Sequence, residues 1–277
     1  MLGAIVGDMV GSVYEARPLK GGWEDFPLFS VGSRFTDDTV MTLAVAEALR
    51  LGYGKDGLHD RFIDAMHAYG NAWPRAGYGK KFGSWLRERR RDAYNSFGNG
   101  SAMRVAPVAW AAQSLEEAEH LAALSAATTH NHPEGIRGAQ AVAVAIFLAR
   151  SEKSKDEVRA AITGRYGYDL SRMLPEIREG YAFDVSCQGS VPEAITAFLE
   201  SANFEEAVRK AVWLRGDADT QAAIAGSIAE AFYGGVPEPI AREALERLDA
   251  HLHKAYVDWN QWLHNAKGVQ PWREGNQ

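Results

Sequence analysis

Apolar residues recur at intervals of about 3.6 through most of this chain. Met41–Leu49 (MTLAVAEAL), Val105–Ala112, Ala139–Ala149, Val191–Leu199, Ala222–Phe232 and Ile240–Leu252 all carry that period. Alanine fills many of the apolar positions, which favours helix and lets helices pack closely. Alternating runs bounded by hairpin turns, the mark of half-buried strands, are hard to find. The pattern predicts a nearly all-α chain, with about ten or more helices joined by short loops. Glycine-rich punctuation falls at 52–57, 77–83, 98–100 and 234–235. No proline- or serine-rich linker divides the chain, and no solenoid period shows. One domain over residues 1–277 is expected, its polar tail from Lys267 (KGVQPWREGNQ) fraying after the last helix.

The first segment, GAIVGDMVG from Gly3 to Gly11, has glycine at every fourth position. On a helix these glycines form one bare stripe that lets another backbone come very close. Each costs up to ~1 kcal/mol in helix propensity, so the fold must demand the closeness. Asp8 and Glu15 share a face if that helix runs far enough. Asp8 reads as a buried hydrogen-bond hub, and Glu15 as a surface acid or a catalytic carboxylate. At the other end Tyr256, Trp259 and Leu263 fall on one helix face, which points to core packing before an oligomer contact. The run from Arg87 to Asp92 reads as a solvated helix face.

Composition narrows the class. A hydrophobic fraction of 46% in 277 residues can bury a sizeable core, and 24% charged residues is ordinary for a globular protein. The net charge of −6 gives no footprint for an extensive nucleic-acid surface. Cys187 is the sole cysteine, so no intrachain disulfide forms, which fits a reducing compartment. No apolar run approaches ~18 residues, and the start of the chain does not read as a secretory signal. A soluble cytoplasmic protein, monomeric or weakly self-associating, is expected.

The chemistry gathers in short polar clusters. Thr36-Asp37-Asp38-Thr39 and Asp217-Ala218-Asp219-Thr220 each precede a helical, alanine-rich run. Thr36 suits an N-cap, and acids suit the positive end of a helix dipole. Capping needs one oxygen per helix, however, and the remaining carboxylates are surplus to it. If the fold joins the clusters, like charges crowd together, and oxygen donors of this kind suit hard cations such as Mg²⁺ or Mn²⁺. Ser96 to Arg104 (SFGNGSAMR) reads as a loop whose Gly98-Asn99-Gly100 allows positive φ and offers backbone N–H groups as an anion nest. His130 and His132, in THNHP, are too few for a zinc site and could donate to a substrate or flank the helix that starts near Pro133.

Five strings, in order, resemble the ADP-ribosylglycohydrolase family: GAIVGDMVGSVYE (Gly3 to Glu15), FTDDTVMTLAVAEAL (Phe35 to Leu49), FGNGSAMRVAPVAW (Phe97 to Trp110), THNHPEGIRGAQAVA (Thr129 to Ala143) and GDADTQAAIAGSIAEAFYG (Gly216 to Gly234). The resemblance implies an all-α orthogonal bundle with a cleft for two Mg²⁺ or Mn²⁺ ions. It makes Thr36, Asp37, Asp38, Asp217, Asp219 and Thr220 the metal ligands, and Glu15 and Asp38 the catalytic candidates. It places Ser96, Phe97, Gly98, Asn99, Gly100 and Ser101 along the diphosphate, and Met103 and His132 on the substrate, with His130 the weaker match. Some members carry an acid after a proline between the first two loops, whereas Trp73–Gly83 has none, leaving Tyr78 to stack or hydrogen-bond there. The activity implied is hydrolysis of the glycosidic bond between ADP-ribose and a protein or small-molecule acceptor. Other readings are a hydrolase of another ADP-ribose derivative, of modified nucleic acid or of a ribosyl or guanidino compound, and a non-catalytic, crystallin-like member.

Overall fold

The computed structural model describes residues 1–17 and 19–267; the tail expected to fray lies outside them apart from Lys267 itself. Fifteen helices form among the described residues, and no strand does; a lone antiparallel bridge pairs Gly98 with Ser186. The first eight are α1 (Leu2–Gly11), α2 (Asp37–Gly52), α3 (Leu58–Ala72), α4 (Lys80–Arg87), α5 (Gly100–Met103), α6 (Ala106–Ala111), α7 (Leu115–Ala126) and α8 (Pro133–Arg150). There follow α9 (Lys155–Tyr166), α10 (Leu174–Gly180), α11 (Cys187–Leu199), α12 (Phe204–Trp213), α13 (Ala218–Phe232), α14 (Glu238–Glu246) and α15 (Ala250–Lys267). The all-α class read from the apolar period is the class observed.

The innermost pair is α1 and α13. Every residue of α1 is buried, and α13 is buried from Ala218 to Ala231. The glycine stripe is what lets them meet. A Cβ on Gly3 would sit 2.1 Å from the Gly226 carbonyl oxygen, one on Gly7 2.0 Å from that of Ala222, and one on Gly11 2.4 Å from Asp219 Cα. Gly226 answers from α13, where a Cβ would come 2.4 Å from the Gly3 oxygen. No side chain fits between these backbones, and backbone-level packing offsets the propensity cost of glycine. Glu230 on α13 accepts the N–H groups of Leu2 at 3.1 Å and Gly3 at 2.8 Å, filling orphan donors at the start of α1.

Other helices wrap this pair. α8, α11 and α12 pack on α13, α2 packs on α3, and α15 lies against α2 and α6. Tyr256, Trp259 and Leu263 on α15 are buried, so that face is core, as the spacing suggested. No helix among the described residues is long and apolar enough to cross a membrane.

Three local expectations are corrected. The period from Ile240 to Leu252 spans two helices: Asp249 Oδ1 accepts the N–H groups of His251 at 2.9 Å and Leu252 at 3.0 Å, a cap that starts α15 afresh. α1 ends at Gly11, so Glu15 does not share a helical face with Asp8. The basic run is solvated but not helical: α4 closes at Arg87, Arg89 takes φ 52°, and Arg91 reaches Asp60 and Asp64 of α3.

Gly7→Ala should cost at least about 3 kcal/mol in urea unfolding, because two backbones must separate. Gly164→Ala, on an exposed face of α9 with nothing within 4 Å, should gain up to about 1 kcal/mol. Similar effects at both positions would show that the stripe is not a packing requirement.

Candidate metal centre and cleft

The first acidic cluster opens α2. Thr36 is its N-cap, with extended backbone and with Oγ1 accepting the Asp38 N–H at 3.3 Å. Asp8 crosses from α1 and takes four donors. They are the N–H groups of Thr36 at 2.8 Å and Thr39 at 3.0 Å, and the hydroxyls of Thr36 at 2.6 Å and Thr39 at 2.5 Å. Asp8 is thus the hydrogen-bond hub its sequence position suggested, and it fastens the start of α2 to α1.

The second cluster opens α13, which begins at Ala218 and not, as the apolar period suggested, near Gln221. Asp219 and Thr220 therefore lie in the first turn. Asp217 makes no side-chain cap; its Oδ2 accepts from Asn99 Nδ2 at 2.8 Å. Thr220 Oγ1 donates to Asp38 Oδ2 at 3.4 Å, which joins the two clusters. Carboxylate oxygens of Asp8, Asp38 and Asp219 lie within 4.8 Å of one another.

Crowding sets the electrostatics. Burial, then the charge of Asp219, raises the Asp8 carboxyl to about 7 and that of Asp37 to about 8. The same two causes push Asp38 and Asp217 well above the usual carboxylate range. Asp38 Oδ1 is buried and has no hydrogen-bond partner. An orphaned carboxylate oxygen, donors that are all oxygen, and repelling acids are surroundings that fit a hard divalent cation.

The clusters line a cleft of about 670 Å³. Ser96, Gly98, Asn99, Gly100 and Met103 border it. The glycines act differently from expectation. Asn99 has φ −74°, and neither Gly98 nor Gly100 takes a positive φ. Space beside them is tight: a Cβ on Gly100 would come 3.2 Å from His130 Nε2, and one on Gly98 3.4 Å from the Val185 oxygen. The Asn99 N–H donates to Val185 O at 2.8 Å and the Gly98 N–H to Ser96 Oγ at 3.2 Å, so two amides of the expected nest are already engaged.

Four expected substrate residues stand off the lining. Phe97 is exposed and meets His132 edge-on at 5.5 Å. His132 caps α8, its Nδ1 accepting the Glu134 N–H at 3.1 Å at the start of the helix that Pro133 begins. Ser101 is buried and donates to Gly135 O at 2.7 Å. Tyr78 packs against Phe82 at 5.5 Å with its hydroxyl buried and unpartnered. His130, the weaker match, takes the inward place instead.

Glu15 reaches the cleft from an exposed turn after α1. Desolvation there and then Asp219 raise its carboxyl above the usual range, with Arg34 opposing. Arg34, Lys80, Lys81, Tyr94, Arg104, Phe183 and Val185 also border the cleft, and none had been assigned a role from the sequence. Arg34 stands two residues before Thr36, and Arg104 ends the glycine loop, so their neighbours were the available signal. Phe183 and Val185 come from a stretch with no readable pattern.

An all-α fold with two helix-start acid clusters meeting in one cleft defines the class. The chain belongs to the ADP-ribosylglycohydrolase family, whose model matches residues 1–271. It is similar to ADP-ribosylhydrolase ARH3 of Mus musculus, 29% identical over 93% of this chain and 91% of that protein. It is also similar to ADP-ribosylarginine hydrolase Tri1 of Pseudomonas putida, 29% identical over 86% of this chain and 71% of that protein. A solved structure titled ADP-ribosylglycohydrolase-related protein complex superimposes with a TM-score of 0.66 at 26% identity, covering 95% of this chain and 97% of that one.

With chelator present, stability should fall as pH rises from about 5 to 8. The folded-state values of Asp8 and Asp37 are raised above 3.8, so below that value their contribution is fully present, and it is lost as pH passes about 7 and about 8. A drop of more than about 1 kcal/mol in urea unfolding is expected. Constant or rising stability over that range would contradict the crowding.

Proposed function

We propose that this protein is a divalent-cation-dependent hydrolase of the glycosidic bond between ADP-ribose and a protein or small-molecule acceptor, reversing ADP-ribosylation. The observation that carries this reading is the junction of the two clusters, with Thr220 on Asp38 and Asp38 Oδ1 left bare. Names of the relatives, ADP-ribosylhydrolase and ADP-ribosylarginine hydrolase, support the substrate class. Thr36, Asp37 and Asp38 on α2, with Asp217, Asp219 and Thr220 at the start of α13, would hold two Mg²⁺ or Mn²⁺ ions. Bound there, the ions supply charge neutralisation and Lewis-acid polarisation.

The chain's own residues do the rest. Asp8 keeps Thr36 and the α2 start in place, and Asn99 keeps Asp217 in place. The Ser96–Met103 loop borders the space for the diphosphate, while Arg34, Lys80 and Lys81 lend positive charge. Holding the remote ADP moiety places the anomeric carbon for reaction. The bond from that carbon to the acceptor nitrogen or oxygen breaks, and a bond to a water oxygen forms, through an oxocarbenium-like transition state. Glu15 takes the proton from the water or gives one to the departing acceptor, a task its raised carboxyl suits. Asp38, with one oxygen on Thr220 and one bare, is the second acid of the reacting site.

Turnover of an ADP-ribosylated peptide should require Mg²⁺ or Mn²⁺ and vanish in Asp219→Ala with the helical circular dichroism intact. Glu15→Gln should lose about 10²–10⁴-fold in turnover while cation binding by calorimetry persists. Full turnover in Asp219→Ala would overturn the metal reading, and loss of cation binding in Glu15→Gln would make Glu15 a ligand.

A further inference from the structure

Behind the glycine loop lies a polar chain that the reaction as described does not use. Arg104 is 1% exposed, yet no carboxylate pairs with it among the described residues. Its Nη2 donates to Thr129 Oγ1 at 2.9 Å and points to Thr128 Oγ1 at 3.4 Å. Thr129 Oγ1 in turn lies 2.7 Å from His130 Nδ1. A hydroxyl has one hydrogen to give and two lone pairs to receive with. Arg104 can only donate, so it takes a lone pair. Tyr94, the other polar neighbour, keeps its phenol proton through burial and shares a side-chain hydrogen bond with Thr129, in which the phenol oxygen can give or accept the hydrogen. With Tyr94 giving, the hydrogen of Thr129 goes to His130 Nδ1, which accepts it.

The far edge of the ring borders the cleft. His130 lines the cleft although it is 5% exposed. The missing Cβ atoms of Gly100 and Gly98, 3.2 and 3.6 Å from Nε2, leave that edge uncovered. Burial, then the positive charge of Arg104, keeps the ring neutral.

Building on the function proposed above, we propose that Thr129 and Arg104 are positioning residues that hold His130 as the Nε2–H tautomer, a fixed hydrogen-bond donor to an acceptor oxygen of the ADP-ribose moiety. The buried arginine thereby acts on the donor through the threonine. It orients the threonine, the threonine selects the tautomer, and two glycines keep the donor bare. A neutral donor also adds no charge beside the acids across the cleft.

Long-range ¹H–¹⁵N correlation on protein with ¹⁵N-labelled histidine, at pH 7, reads the tautomer directly, with His130→Gln marking the His130 signals. Wild type should show the neutral Nε2–H pattern. Thr129→Val should turn it into Nδ1–H or a mixture and weaken calorimetric binding of ADP-ribose, with Mg²⁺ present, by about tenfold. Thr129→Ser should restore both. An Nδ1–H or imidazolium pattern in wild type, or an unchanged pattern in Thr129→Val, would overturn the proposal. Absence of ADP-ribose binding by wild type would instead strike the proposed function, since the tautomer is read without ligand.

Discussion

The contact between the backbones of α1 and α13 is the constraint on which this structure rests. Gly3, Gly7 and Gly11 face Gly226, Ala222 and Asp219 so closely that no Cβ fits between them. That contact does more than fill the core. The two helices come from opposite ends of the chain, so their approach carries Asp8 to the neighbourhood of Asp219. Asp8 then grips Thr36 and Thr39 and brings the start of α2 to the same place. Sequence spacing of glycine becomes helix proximity, and helix proximity becomes a cluster of carboxylates.

Such a cluster opposes folding by its own charge. Buried acids raised this far hold protons or repel one another, and either state costs stability relative to an apolar filling. Two features offset the cost. Asp8 receives four donors, and the surrounding helices bury an alanine-rich core that does not depend on the acids. A cation bound to the native cluster adds stability by mass action, so ligand binding and folding are linked at this site. The interior thus trades stability for a pre-arranged set of oxygens, as functional sites commonly do.

Much of this was legible in the sequence. The helical class followed from the apolar period, and the stripe on α1 followed from three glycines at fixed spacing. The clusters were visible because their acids exceed what capping needs. What escaped depended on tertiary geometry. Nothing local shows that His132 caps α8 while His130 lines the cleft, or that Gly100 sits close against His130 without a positive φ. Arg104 looks like an ordinary residue after a loop until its burial is seen. The break at Arg247–Asp249 was hidden because two successive helices keep nearly the same apolar phase across the cap at Asp249. Caps and buried polar chains are cooperative features, made by residues far apart in the chain, and periodicity does not report them.

The central claim is that the two acid clusters make one centre for a pair of divalent cations. Mn²⁺ titration followed by electron paramagnetic resonance tests it most directly, since free and bound ions give different signals. Two Mn²⁺ per chain are expected in wild type, with spin coupling between them, and both should be lost in Asp38→Asn. No tight Mn²⁺, or two ions retained at full affinity in Asp38→Asn, would contradict a centre shared by the clusters.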